Sequence, residues 1–190
     1  MTDDRRLGRP RSEATRKAIL VAALEELDER GYAALTIDGI ARRAGCGKQT
    51  IYRWWPSKAD VVLEALLERA DTTIAIPDEG SLSDDLLAFL TATFRQRGQR
   101  PTLIGLMAHA LLDPVFATEF KEKFLFKRRA ALRVILDRAA ARGEIAADAD
   151  IELLMDVVYG VLWYRLLLDH APLDEPAGNR LATLLVRAAR

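Results

Sequence analysis

The stretch GCGKQTIYRWWPSK, residues 45–58, decides how this sequence is interpreted. Tyr52, Trp54 and Trp55 stand within four positions, among cations and without any acid. Two of the chain's three tryptophans are therefore adjacent here. We expect Trp55 to belong to the core and Trp54 to face outward. The alternative, that both rings only pack inside the protein, stays open because aromatic side chains most often serve burial.

Signals for helix starts and ends predict two short helices around this stretch. Thr36 is placed to cap a helix over residues 37–44, and Gly45 can adopt the positive φ that ends it. A second helix is predicted over residues 48–55, because Pro56 cannot continue the hydrogen-bonded ladder. Two short helices joined by a Gly-Cys-Gly turn are typical of the DNA-binding helix-turn-helix.

The second of these helices is expected to have one buried and one exposed face. Ile51 and Trp55 are four residues apart, so they share the face that packs against the first helix. On the other face Gln49 can pair with adenine, and Lys48 and Arg53 can pair with guanine or phosphate. The alternative is that these cations are only solvated. It is disfavoured because the basic stretch without acids coincides with the helix-turn-helix.

Groups beside the predicted reading helix can bind phosphate. Tyr52 and Trp54 each offer one donor, a phenol and an indole N–H. Lys58 falls in the first turn of the next helix, whose backbone N–H groups could address the same phosphate. Arg9 and Arg11 belong to a basic N-terminal arm that could enter a narrow minor groove, although a disordered end without that role fits the arm equally well.

The charge distribution supports a partner bound at one end. The net charge of the chain is zero, which taken alone argues against nucleic acid. Residues 1–60, however, hold 12 Lys and Arg against 9 Asp and Glu, while residues 61–190 hold 16 against 19. Such an asymmetry indicates a polyanion bound by the N-terminal part.

The remaining sequence predicts an all-α protein of about nine helices. Its segments are rich in Ala, Leu, Arg and Glu, which favour helix, and show no alternation with a period of two. Prolines mark the junctions, and residues 77–83 are interpreted as a turn or linker. The long helix predicted from about residue 114 to 142 is expected to break near Phe124. We expect a small N-terminal module joined to a larger helical domain.

The segment LTIDGIARRAGCGKQTIYRWWPSKADVVLEAL, residues 35–66, resembles the N-terminal helix-turn-helix of the TetR family of transcriptional regulators (TetR/AcrR type). Cys46 and Trp54 depart from the residues usual in that family. The resemblance implies a DNA-binding domain over 12–72, with the helix-turn-helix at about 35–55, and an effector-binding and dimerisation domain over 75–190. It makes the following residues the candidate DNA contacts, together with Arg9 and Arg11 of the arm: Thr36, Arg43, Lys48, Gln49, Thr50, Tyr52, Arg53, Trp54 and Lys58.

The eighth predicted helix, about residues 150–170, is apolar on nearly every side, so it must be covered all round. A partner subunit is an economical cover, and a two-fold dimer would present two reading helices to a palindromic operator in double-stranded DNA. Dimerisation through the last two helices is also what the resemblance implies. The expected interface residues are Leu154, Val158, Gly160, Leu162, Leu181, Leu184 and Leu185.

The resemblance further implies a small-molecule effector that binds between the helices of the second domain. We expect a largely apolar effector with one or two polar anchors, whose binding releases the operator. The candidate pocket residues, each of which is more often a core residue, are Phe89, Phe94, Met107, His109, Phe120, Met155, Tyr159 and Trp163.

Several classes of function are disfavoured. His109 and His170 lack partners at metal-ligand spacing, no nucleophile and base share a local signature, and no cofactor is expected, so an enzyme is not predicted. The chain has neither a signal core nor an apolar run of about 20 residues, so a cytoplasmic protein without a membrane partner is expected. Cys46 is the single cysteine, and a small turn residue suits it better than an oxidant sensor. A transcriptional activator and a helical adaptor stay open beside a repressor.

Overall fold

The structure, a computed structural model, describes residues 12–70, 76–94 and 99–190. Within these ranges the chain forms helices and no strand, which confirms the predicted all-α fold. The chain divides into two compact units between Arg69 and Ala70. The domain limits 12–72 and 75–190 stay predictions.

The N-terminal unit contains four helices: α1 (Glu13–Ala34), α2 (Ile37–Arg43), α3 (Lys48–Tyr52) and α4 (Lys58–Ala70). Gly31 interrupts α1 with a φ of 72°. Ser57 and Asp60 form a capping box at the start of α4. The Ser57 N–H donates to the Asp60 carboxylate at 2.8 Å, and the Ser57 hydroxyl accepts from the Ala59 N–H at 3.1 Å.

The C-terminal unit is larger. Its helices are α5 (Leu82–Phe94), α6 (Arg100–Leu112), α7 (Pro114–Phe120), α8 (Phe126–Ala141), α9 (Ile151–Leu168) and α10 (Glu175–Ala188). A π-helical turn, Lys121–Leu125, joins α7 to α8 without interruption. With α7, the π turn and α8 taken as one helix, the described residues contain the nine helices expected, and the irregularity falls where a break was predicted, at Phe124.

The core of the C-terminal unit lies among α5, α8, α9 and α10. One buried carboxylate stabilises its edge: Asp85, which is fully buried, accepts from the Glu79 N–H at 2.6 Å and from the Arg142 guanidinium at 3.2 Å. Of the helices described, none combines the length and the apolar character that crossing a membrane requires.

Candidate nucleic-acid interface and ligand cavity

The turn between α2 and α3 is shaped by a glycine in the left-handed region. Gly45 has a φ of 64°, a conformation that costs other residues free energy. The Cys46 N–H donates to the Ala41 carbonyl at 3.0 Å, which closes the end of α2. Burial raises the pKa of the Cys46 thiol, which disfavours the thiolate and supports its interpretation as a small turn residue.

The back of α3 is buried as expected. Ile51 is fully buried and Trp55 is 3% exposed, which confirms Trp55 as the core tryptophan. The helix is shorter than predicted, because it ends at Tyr52 rather than at residue 55. Its last turn tightens as the Trp54 N–H bonds the Ile51 carbonyl three residues back at 2.8 Å, while the Trp55 N–H reaches the same oxygen at 3.0 Å.

The indole of Trp55 is fixed by an acid on the next helix. Its Nε1–H donates to Glu64 Oε2 at 2.8 Å. The other oxygen of Glu64 pairs with Arg16 of α1, and Arg16 also contacts Glu68 at 2.6 Å. Burial opposes the charge of Arg16, but these carboxylates outweigh it and raise the pKa of the guanidinium. One network therefore connects α1, α4 and the residue that supports α3.

The outward face of α3 is polar. Lys48, Gln49, Tyr52 and Arg53 are exposed, and Thr50 is partly buried. The ammonium of Lys48 lies 2.6 Å from Asp38 of α2, and since both groups are more than half exposed this ion pair stabilises little and can be exchanged for a phosphate. Trp54 is partly buried and stacks on Trp55, with ring centroids 5.8 Å apart.

Arg43, a predicted DNA contact, faces α1 instead. Its guanidinium bonds Glu26 at 3.0 Å and Glu25 at 3.4 Å, and it makes a close paired contact with Glu29. These acids, with Glu29 as the largest contributor, raise the pKa of Arg43. Gly39 allows α2 to approach α1 closely, since a Cβ there would lie 2.7 Å from Glu26. The structure thus gives Arg43 a role in packing α2 against α1, and its DNA contact stays untested.

Arg42 was not among the sequence candidates, yet it suits the role that Arg43 was given. It is exposed in the last turn of α2, and its guanidinium makes no hydrogen bond or ion pair with the described residues. The sequence signal was the same acid-free basic stretch. What the sequence did not show was which of two adjacent arginines faces away from α1.

Exchanging each arginine for methionine separates these roles. We expect Arg42→Met to weaken DNA binding to all sequences by about 1 kcal/mol or more without lowering the melting temperature. We expect Arg43→Met to lower stability by about 1–2 kcal/mol, because the buried Glu26 loses a partner. Fluorescence anisotropy on duplex DNA and thermal unfolding monitored by circular dichroism measure the two effects. A loss of stability in Arg42→Met together with a loss of DNA affinity alone in Arg43→Met would contradict these two roles.

Lys58 and Thr36 both bind backbone in the N-terminal unit. The Lys58 ammonium donates to the carbonyls of Tyr32 at 3.0 Å and Leu35 at 3.1 Å, and it lies 4.7 Å from the centre of the Tyr32 ring. The Thr36 hydroxyl accepts from the Gly39 N–H at 3.1 Å, as a cap should. Both residues fix the segment before α2, and phosphate contact by either stays a prediction. Arg9 and Arg11 lie outside the described residues.

The residues of the predicted dimer interface lie mostly inside their own domain, and the interface itself stays a prediction. Five of its seven residues are at most 9% exposed because they belong to the core of their own domain: Leu154, Val158, Leu162, Leu181 and Leu185. Gly160 and Leu184 are exposed. Another face of α9 is only partly covered and is here named the α9 strip: Leu153, Gly160, Tyr164 and Leu168 are exposed on it, and Val157 and Val161 are partly buried against the core.

The C-terminal unit encloses a cavity of about 480 Å³. Three of the eight predicted pocket residues line it: Phe94, Tyr159 and Trp163. The other five do not. Phe89 and Met155 belong to the core, Phe120 stacks between two further rings of its own helix, and Met107 and His109 lie outside the lining, since α6 reaches the cavity through Arg100 and Leu103.

The wall of this cavity contains cations that the sequence prediction missed. Among the described residues, Arg100, Arg128, Arg129 and Arg165 line it, with Asp169 as the one acid. In the sequence, arginines 128 and 129 follow a lysine on a helix, a pattern that normally indicates a solvated surface. Only the packing of α8 beside α9 shows that Arg128 lines the cavity, where it is partly buried.

Comparisons with known proteins agree with this architecture. Residues 19–65 match the family described as bacterial regulatory proteins of the tetR family, and residues 76–185 match a tetracyclin repressor-like C-terminal domain. The chain is 38% identical to the uncharacterized HTH-type transcriptional regulator YdeS of Bacillus subtilis, over 85% of this chain and 82% of that one. It is 32% identical to the DNA-binding transcriptional repressor TetR of Mycobacteroides abscessus, over 90% and 91%.

Solved structures show the same fold. The crystal structure of the TetR family transcription regulator SCO0332 aligns with a TM-score of 0.77 at 34% identity, covering 94% of this chain and 100% of that chain. GusR of Salmonella enterica aligns with a TM-score of 0.65 at 25% identity, covering 95% of both chains. Both the sequence and the fold are shared along nearly the whole chain. The protein therefore belongs to the TetR family of transcriptional regulators.

Proposed function

We propose that the protein is a homodimeric repressor that reads a palindromic operator with α3 and leaves it when a small molecule fills the cavity of the C-terminal unit. One observation carries the proposal: α3 exposes Lys48, Gln49 and Arg53 while Ile51 and Trp55 hold it from behind. A relative named as a DNA-binding transcriptional repressor supports the sign of regulation.

As a family member the protein is a DNA-binding transcriptional regulator and not an enzyme. The proposal adds how the residues divide the work. Gln49 offers the amide that pairs with adenine, Lys48 and Arg53 reach guanine or phosphate, and Tyr52 donates to phosphate. Since the proposed target is operator DNA, we place the protein in the cytoplasm.

The α9 strip supports the dimer. It repeats apolar residues every three or four positions along one side of a helix, and Leu153 and Tyr164 are each 58% exposed. An uncovered apolar strip of this length is expected to be covered by another chain. A second copy places the same strip against itself under two-fold symmetry, which also produces two reading helices for a palindrome.

The operator can be recovered by selecting genomic DNA on the protein. On that site we expect Gln49→Ala to change which sequences are preferred, and Arg53→Ala to weaken all sequences together. Affinity should fall steeply with salt, with a slope of about −0.9 for each phosphate neutralised, and Arg53→Ala should reduce that slope by about one. Anisotropy titrations at several salt concentrations measure both quantities.

Two outcomes would decide against this division. An equal loss on every sequence for Gln49→Ala would refute its role in base readout. Failure to shift any genomic fragment at low salt would favour the adaptor over the repressor. An activator is distinguished separately, because deletion of the gene would then lower the transcription of its targets instead of raising it.

A further inference from the structure

Most of the cavity wall is apolar and could accept a hydrocarbon or aromatic body. Leu103 of α6, Phe124 of the π turn, and Leu162, Trp163 and Leu166 of α9 face it. A volume of about 480 Å³ falls in the range of small-molecule sites. The cations in the wall are what distinguish this cavity from a simple apolar pocket.

Of the four arginines in the described part of the wall, three are satisfied by the protein itself. Arg129 pairs with Glu152 at 2.5 Å and with Asp156 at 2.6 Å. Arg165 donates to the Pro172 carbonyl at 2.8 Å. Arg100 donates to the Leu166 carbonyl at 2.8 Å and lies 3.6 Å from Asp169, which is the acid of the lining.

Arg128 is different. Its guanidinium lies 3.7 Å from the centre of the Phe124 ring and makes no hydrogen bond or ion pair with the described residues. Burial lowers the pKa of Arg128, which means that the site disfavours its charge. A partly buried cation without a paired acid is poorly satisfied, and the ring supplies only partial compensation.

A second unsatisfied group lies in the same wall. The hydroxyl of Tyr159 is buried and has no hydrogen-bond partner among the described residues. Burial raises the pKa of Tyr159, although Arg128 opposes that rise, so the phenol keeps its proton and can donate it in a hydrogen bond. An orphaned donor beside an orphaned cation is the arrangement that an oxyanion would satisfy.

We propose that Arg128 and Tyr159 bind the oxyanion, a carboxylate or sulfonate, of a ligand whose apolar body packs on Phe124, Leu162 and Trp163. This inference rests on the proposed function, because it names the class of effector that would occupy the cavity. A planar guanidinium matches the two oxygens of such a group, and the phenol adds a third donor. The effector is therefore an organic anion with an apolar body. The polar anchor that the sequence analysis expects on the effector is thus negatively charged.

A matched pair of fluorescent probes tests the charge directly on the full chain without DNA. The anionic dye 8-anilino-1-naphthalenesulfonate and its neutral analogue N-phenyl-1-naphthylamine share one apolar body and differ in the sulfonate. We expect the wild type to bind the sulfonate more tightly. Arg128→Met should weaken the sulfonate about tenfold or more and leave the neutral probe unchanged, since bonds to charged groups contribute the difference.

Three further variants locate the effect. Arg129→Met removes a neighbouring charge that is already paired and should change the preference for the sulfonate less than twofold. Tyr159→Phe should weaken the sulfonate alone, by a few-fold. Trp163→Phe should reduce energy transfer from tryptophan to the bound probe, which shows that the probe occupies this cavity. Thermal unfolding checks that each variant is folded.

Equal affinity of the wild type for both probes would overturn the inference, as would an equal loss of both in Arg128→Met. If Arg128→Met fails to fold, Arg128→Lys and Tyr159→Phe still decide: unchanged selectivity in both refutes the oxyanion site. The result is independent of operator binding. Anion selectivity without any DNA binding would refute the proposed function alone, and DNA binding without anion selectivity would refute this inference alone.

Discussion

Replacing Trp55 with alanine should lower the free energy of unfolding by about 3–5 kcal/mol, as large-to-small changes of buried aromatic residues do. The ring is 3% exposed, so its loss leaves a cavity behind α3. The change also removes the donor to Glu64, which then lacks one partner. Since the ring supports α3, operator affinity should fall together with stability. Urea denaturation of the full chain, followed by circular dichroism, measures the effect.

Two matched variants divide the contribution of Trp55 into its parts. Trp55→Phe keeps much of the volume and loses the bond to Glu64, so we expect a loss of about 1–2 kcal/mol. Trp54→Ala removes a partly buried ring that stacks on Trp55 and should cost about 0.5–1.5 kcal/mol. If Trp54→Ala destabilised the protein more than Trp55→Ala, the assignment of core and outer tryptophan would be wrong.

Replacing Gly160 with arginine should convert the proposed dimer into a monomer and weaken operator binding by about 100-fold or more, because the linkage between two half-sites is lost. Gly160 is exposed, and a Cβ there would meet nothing within 4 Å in the isolated chain. Replacing a helical glycine should even favour the monomer's own helix. Any large effect therefore reports on a second chain. Sedimentation velocity gives the oligomeric state, and anisotropy gives the affinity.

Ala130→Arg is the matched control. It adds the same side chain at an exposed position of a different helix, α8. We expect that variant to remain dimeric and to keep its operator affinity within about threefold, since isolated surface substitutions change free energies by about 0.5 kcal/mol or less. A dimeric Gly160→Arg protein would show that the α9 strip does not form the interface.

Local rules were sufficient for the helix-turn-helix. The four-residue spacing of Ile51 and Trp55 fixed the buried face of α3, and Gly45 marked the turn, because helical periodicity and positive φ are properties of short segments. The end of α3 was placed too late. Pro56 forbids continuation of the helix, but tightening of the last turn starts before it, and that choice depends on how Trp55 packs.

Tertiary packing decided what the sequence could not. Arg42 and Arg43 have the same chemistry and stand side by side, and only the position of Glu26 and Glu29 on α1 shows which one turns inward. The predicted phosphate contact of Lys58 rests on its sequence position alone. In the folded chain its ammonium donates hydrogen bonds to the carbonyls of Tyr32 and Leu35.

The sequence correctly predicts that α9 is apolar on nearly every side, but it does not separate the side that packs on the core from the side left uncovered. A helix apolar on every side gives no periodic signal, so the side against the domain core and the side left uncovered look alike in sequence. The same limit applied to the cavity. The sequence prediction for the cavity consisted mainly of aromatic residues. It did not include Arg128, because arginine is rarely buried and its direction depends on neighbours distant in sequence.

The π turn Lys121–Leu125 determines which residues of α8 face the cavity. A π turn holds one residue more than a regular α-helical turn, so it sets the rotational phase of everything that follows. Deleting that extra residue would rotate α8 by about 100° relative to α7 and carry the Arg128 side chain round the helix axis, away from Tyr159. Ligand polarity in this protein is thus tied to a single-residue insertion, and a one-codon change in length could alter it without any substitution in the wall.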